Sequence, residues 1–133
     1  MKDEIEQMYQ ENILDHFKHP RNFGVIKDAS IHHHEKNPLC GDEISMFLAI
    51  DKDKKISDVK FNGHGCAISQ ASASMLTEKI KGKKIKELEK LSKEDILEML
   101  GIELSAVRLK CALLSLDTLK NSIMIHEKYV VGK

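Results

Sequence analysis

The feature that most constrains the fold is a change of hydrophobic period at the stretch Gly63-His64-Gly65-Cys66. Before it, EISMFLAI (43–50) places Ile44, Met46, Leu48 and Ile50 at every second position, the pattern of a strand with one apolar face. The polar run DKDK makes a turn, and KISDVKF (55–61) returns as an antiparallel partner. Gly63 and Gly65 are expected to break that strand and let the backbone turn sharply. From Cys66 onward the spacing is helical. It predicts a helix over 67–81 stopped by Gly82, and a short one over 84–90. Ser92 and Asp95 open another that ends at Gly101, and a long last helix over 106–127 has Ser105 as its N-cap. Upstream, Ile5, Met8, Tyr9, Ile13 and Phe17 recur at helical steps over 3–18 and stop at HPRNFG, and the His-rich segment 28–36 reads as a short strand. Strands followed by helices predict an α+β fold, with helices packed on one face of a small antiparallel sheet.

A chain of 133 residues with two prolines, seven glycines and no internal repeat is expected to form a single domain over 1–133. Its 21 basic and 21 acidic residues balance, so no overall field favours nucleic acid or an anionic membrane. The lysines of KGKKIKELEK (81–90) interleave with glutamates at helical spacing and read as a solvated helix face. MKDEIEQMYQ lacks the apolar core of a signal peptide, and no apolar run reaches membrane-spanning length. These features predict a cytoplasmic protein, in which three cysteines point to metal or thiol chemistry rather than disulfides.

The three cysteines are far apart in sequence. Cys66 follows a Gly-x-Gly bend and opens a helix, where unpaired N–H groups and the helix dipole favour a thiolate. Gly65 removes a side chain that would crowd the approach to it, and ASAS (71–74) is small enough for another element to pack closely on this helix. On the last helix, Leu109, Ala112, Leu113, Leu116, Leu119 and Ile123 form an apolar stripe. Cys111 points about 130° from its centre, among Ser115, Thr118 and Ser122, with Arg108 one turn earlier as a group that could lower its pKa. Cys40 precedes Gly41 and Asp42, and thiolate and carboxylate can turn to one centre only if this segment is a loop. Each cysteine alone reads as a buried structural thiol. Together, three thiolates and one carboxylate would suit tetrahedral Zn²⁺ or an iron–sulfur cluster with one harder, more labile ligand, and spacing alone does not choose between them.

The histidines carry less. Consecutive residues His32, His33 and His34 in a strand point to alternating faces and read as solvated rather than as a ligand set. His64 lies two residues from Cys66 and reads as a hydrogen-bonding neighbour of the site rather than a ligand.

The segments ILDHFKHPRNFG, NPLCGDE, DVKFNGHGCAISQASASMLTEKIKG and RLKCALLSLDTLK, between Tyr9 and Ile125, resemble the U-type iron–sulfur cluster assembly family: IscU, SufU and the NifU N-terminal domain. The resemblance implies a three-stranded antiparallel sheet with helices on one side, and a surface metal site of Cys40, Asp42, Cys66 and Cys111 at one end. It implies a scaffold that takes sulfur from a cysteine desulfurase, assembles a transient [2Fe–2S] cluster and transfers it to apo-proteins. The alternative it implies is a zinc-dependent sulfurtransferase that accepts persulfide sulfur on Cys111. Two departures bear on the choice. Lys110 stands where IscU has histidine, as in SufU, yet the insertion that SufU carries before its last cysteine is missing. LSAVR (104–108) replaces the LPPVK segment by which IscU engages its dedicated chaperone, so the resemblance does not extend to that partner.

Overall fold

A computed structural model describes residues 2–38 and 41–131. The elements run α1 (Lys2–Lys18), β1 (Ile31–Lys36), β2 (Glu43–Ile50), β3 (Ile56–His64), α2 (Ala67–Ile80), α3 (Ile85–Leu88), α4 (Lys93–Leu100) and α5 (Ala106–Val131). The strands form one antiparallel sheet in the order β1-β2-β3. Alternation along β2 buries Ile44, Met46 and Leu48 under the helices, joined from β3 by Ile56, Val59 and Phe61. α2 and α5 pack on this face and α1 packs on α2, as expected for an α+β chain.

The small residues of α2 serve two neighbours. Ser72 Oγ donates to the Ala112 carbonyl of α5 at 2.8 Å and lies 3.2 Å from Ser115 Oγ. Ser74 Oγ accepts the Arg21 N–H at 2.9 Å and lies 2.7 Å from His16 Nδ1 on α1. The other ring nitrogen of His16, Nε2, lies 3.6 Å from the Glu78 carboxylate. The Ser92 cap is complete: its side chain accepts the Asp95 N–H while the Asp95 carboxylate accepts the Ser92 N–H, which holds the Asp95 carboxyl below its ordinary pKa. Gly101 closes α4 in the left-handed conformation, φ 68°.

Three points go beyond the sequence reading or refine it. The expected break falls at the second of the two glycines: β3 ends at His64, just before Gly65. Gly63 itself is paired opposite Ile44, where glycine permits close approach, since a Cβ would collide with the Glu43 carbonyl oxygen. The flank of α5 bearing Cys111, Ser115, Thr118 and Ser122 is buried, since α5 packs against both α2 and the sheet. Its hydroxyls turn back onto the helix, Thr118 to the Leu114 carbonyl and Ser122 to the Leu119 carbonyl, so their burial leaves no donor unmet. The short helix α3 covers only Ile85–Leu88, with Ile85 and Leu88 buried and the lysines around them exposed.

Candidate metal centre

One end of the sheet gathers residues from three separate segments. Ahead of β2, Asn37 O accepts the Gly41 N–H at 2.7 Å and Asn37 N–H donates to Asp42 O at 2.8 Å. Gly41 takes φ +74°, a value open to glycine, and this bend delivers the Asp42 side chain to the helix-covered side. Cys66 is the N-cap residue of α2, and Cys111 lies in the second turn of α5. The carboxylate of Asp42 and the sulfurs of Cys66 and Cys111 lie within 4.8 Å of one another. Asp42 and Cys111 are buried and Cys66 is half-buried. Gly41 and Asp42 precede β2 outside any strand, and Cys40, the fourth expected ligand, lies outside the described residues.

Gly65 makes the convergence possible. It has φ +154°, and a Cβ there would stand 2.5 Å from both Cγ and Oδ1 of Asp42. The open space lets Asp42 Oδ1 accept the Cys66 N–H at 3.3 Å. That bond satisfies one of the orphan donors at the start of α2 and fixes the carboxylate beside the thiol. Cys66 Sγ is 3.9 Å from Ser69 Oγ, which donates to the Cys66 carbonyl at 3.1 Å. Ile44, Phe61, Ala73 and Leu114 form a small apolar cluster, each a few residues from one of the converging side chains. A tetrahedral ion with ligand bonds of about 2.0–2.3 Å would place its donors roughly 3.3–3.8 Å apart, so the three need close by only about 1 Å. Two soft sulfurs and one hard oxygen fit zinc or iron, and not calcium or magnesium.

The neighbours read from sequence behave differently. His64 turns to the opposite face and engages Glu43, away from the centre. Arg108 and Lys110 are exposed. His32 and His34 occupy the outer face of β1, His32 stacked on Phe47, while His33 points inward beside Glu35. What sequence reading missed is that Gly65 clears space for Asp42 more than for Cys66. The signal was available only as a glycine next to a cysteine.

Residues 8–131 match the profile of the NifU-like N terminal domain, and the chain belongs to that family. It is 39% identical over 117 residues to iron–sulfur cluster assembly scaffold protein IscU 1 of Archaeoglobus fulgidus, covering 88% of this chain and 75% of that protein. It is 38% identical over 140 residues to the zinc-dependent sulfurtransferase SufU of Bacillus subtilis, covering 92% of this chain and 94% of that one. An alignment of 140 residues exceeds the 133 of this chain, so the Bacillus protein carries inserted residues that this chain lacks. Among solved structures, an iron–sulfur cluster assembly scaffold protein for a SUF system from Fervidobacterium islandicum superposes with a TM-score of 0.75 at 33% identity, covering 88% of this chain and 97% of that one. A NifU-like N-terminal domain from Brucella abortus shares the fold, with a TM-score of 0.74 at 20% identity. Among the described residues no helix is long and apolar enough to cross a membrane.

Proposed function

We propose that this protein is a cytoplasmic scaffold that takes sulfur from a cysteine desulfurase, assembles a transient [2Fe–2S] cluster on Cys40, Asp42, Cys66 and Cys111, and passes it to apo-proteins. The observation that carries the reading is the convergence of Asp42, Cys66 and Cys111 at one end of the sheet. Thiolates supply the charge and covalency that iron needs, while the single carboxylate is the harder, more readily displaced donor. A half-buried Cys66 leaves the centre open on one side, which suits a cargo that must arrive and leave. Were the protein a zinc-dependent sulfurtransferase instead, Cys111 on the long helix would be the sulfur acceptor: its thiolate attacks the outer sulfur of the desulfurase persulfide, and the desulfurase cysteine leaves as its own thiolate.

A second reading is a zinc-dependent sulfurtransferase, with Zn²⁺ held by the same four residues. It is favoured by the 38% identity to the Bacillus protein of that name and by Lys110 before Cys111, and opposed by the missing inserted residues. Anaerobic reconstitution with iron, sulfide and a desulfurase, in the presence of a thiol reductant that brings persulfide sulfur to the sulfide level, separates the two. The scaffold reading expects an iron–sulfur chromophore that moves to an apo-ferredoxin. Tight stoichiometric zinc with no cluster under any condition overturns it in favour of the transferase.

A further inference from the structure

The outer face of the sheet, at the same end, carries a second set of metal-ligating side chains. Glu43 follows Asp42, and strand alternation turns its side chain to the side opposite the helices. It lies directly across from His64 of β3 in the strand register, and its Oε2 contacts His64 Nε2. Its other oxygen, Oε1, is 3.7 Å from Nε2 of His34 on β1. His34 is held from behind, with its Nδ1 2.7 Å from Ser45 Oγ. Two imidazoles from the strands flanking β2 thus present their Nε2 atoms to the two oxygens of one carboxylate.

We propose that His34, Glu43 and His64 form a binding site for a first-row divalent cation of the zinc or iron(II) class, distinct from the thiolate centre on the other face. Two imidazole nitrogens and a carboxylate are the donor set such ions take, and the Ser45 contact to Nδ1 is the outer-shell bond that leaves Nε2 as the ligand atom. His64 and His34 are 75% and 48% exposed, which leaves their rings room to turn toward each other over Glu43, a movement that bond lengths of roughly 2.0–2.2 Å require. With three protein ligands the remaining positions fall to water, and the ion exchanges readily. The site is independent of the cluster-assembly reading, because none of its ligands is a cysteine.

Anaerobic cobalt(II) titration followed by absorption tests it. Cobalt on thiolates gives sulfur-to-metal charge-transfer bands, and cobalt on nitrogen and oxygen gives only weak visible bands. Wild type is expected to take two equivalents, one of each kind. Glu43→Gln and His64→Ala should each weaken the second by at least about tenfold and leave the charge-transfer band in place. The variant with Cys40, Cys66 and Cys111 all changed to Ser should keep only the nitrogen–oxygen spectrum; if it does not fold, the wild-type titration decides. Saturation of wild type at one equivalent, or a second equivalent indifferent to both Glu43→Gln and His64→Ala, overturns the site.

Discussion

Asp42 and Glu43 are adjacent carboxylates with opposite surroundings. Asp42 is 4% exposed, bound to a backbone N–H and enclosed with two sulfurs. Glu43 stands on the open face between two histidines. One peptide unit separates a sulfur-rich pocket from a solvated imidazole cluster. Strand alternation accounts for the divergence, and two glycines make each side possible. Gly63 lets β3 lie against the Glu43 backbone, and Gly65 leaves room for the Asp42 carboxylate.

Breaking the shared junction should have the largest effect. Gly63→Ala forces a Cβ toward the Glu43 carbonyl, a backbone atom that cannot swing away. We expect a loss of about 2–4 kcal/mol in stability, seen as a lower denaturant midpoint, with both faces disturbed together. A midpoint within error of wild type would show that the strands can separate there at no cost.

Gly65→Ala should divide the two faces. The added methyl collides with the Asp42 carboxylate, so zinc affinity at the sulfur centre should fall by ~10–100-fold in chelator competition. The Glu43–His64 contact on the other side should persist. Equal weakening of both faces would mean that Gly65 acts through the strand rather than through Asp42.

Asp42→Ala probes the inner carboxylate alone. Three thiolates remain, so a cluster still forms, but its transfer to an apo-ferredoxin should slow, because the ligand most easily protonated or displaced is gone. Replacement of Cys40, Cys66 or Cys111 by Ser should instead prevent stable assembly. Faster transfer from Asp42→Ala, or loss of the cluster in that variant alone, would refute the labile role given to Asp42.

The smallest effect comes from a region outside both faces and serves as a reference for them. His16 is buried between α1 and α2, and burial, assisted by Arg21, holds its pKa below the ordinary 6.5. The unfolded chain therefore binds more protons as pH falls. The contribution of His16 to stability is complete above about pH 6.5 and declines as pH drops from there through its lower folded value. Thermal midpoints measured from pH 7 to 5 should fall more steeply for wild type than for His16→Gln, which keeps a polar partner for Ser74 but cannot titrate in that range. Parallel slopes would place the acid sensitivity elsewhere.

Much of the architecture was legible because it depends on local periodicity. The limits of β2, the capping box at Ser92, the stop at Gly101 and the long last helix all follow from spacing within a few residues. The strand through Gly63 was not legible, since a glycine that ends a strand and one that admits a close neighbour look the same in a sequence. The full burial of the α5 serines was not legible for a related reason. A helical wheel tells which residues share a side, but not that a second element will cover that side.

The chain by itself determined which groups were available: sulfur at three places, a carboxylate beside one of them, glycines at the bends and a period that changes at residue 63. The meeting of Asp42, Cys66 and Cys111 within 4.8 Å was decided only in three dimensions. So was the division of Asp42 and Glu43 between two faces, with His64 going to Glu43 rather than to the sulfurs. The reason is physical. Ligand geometry depends on contacts between segments distant in sequence, and their relative placement comes from packing α2 and α5 on the sheet, which no local pattern encodes.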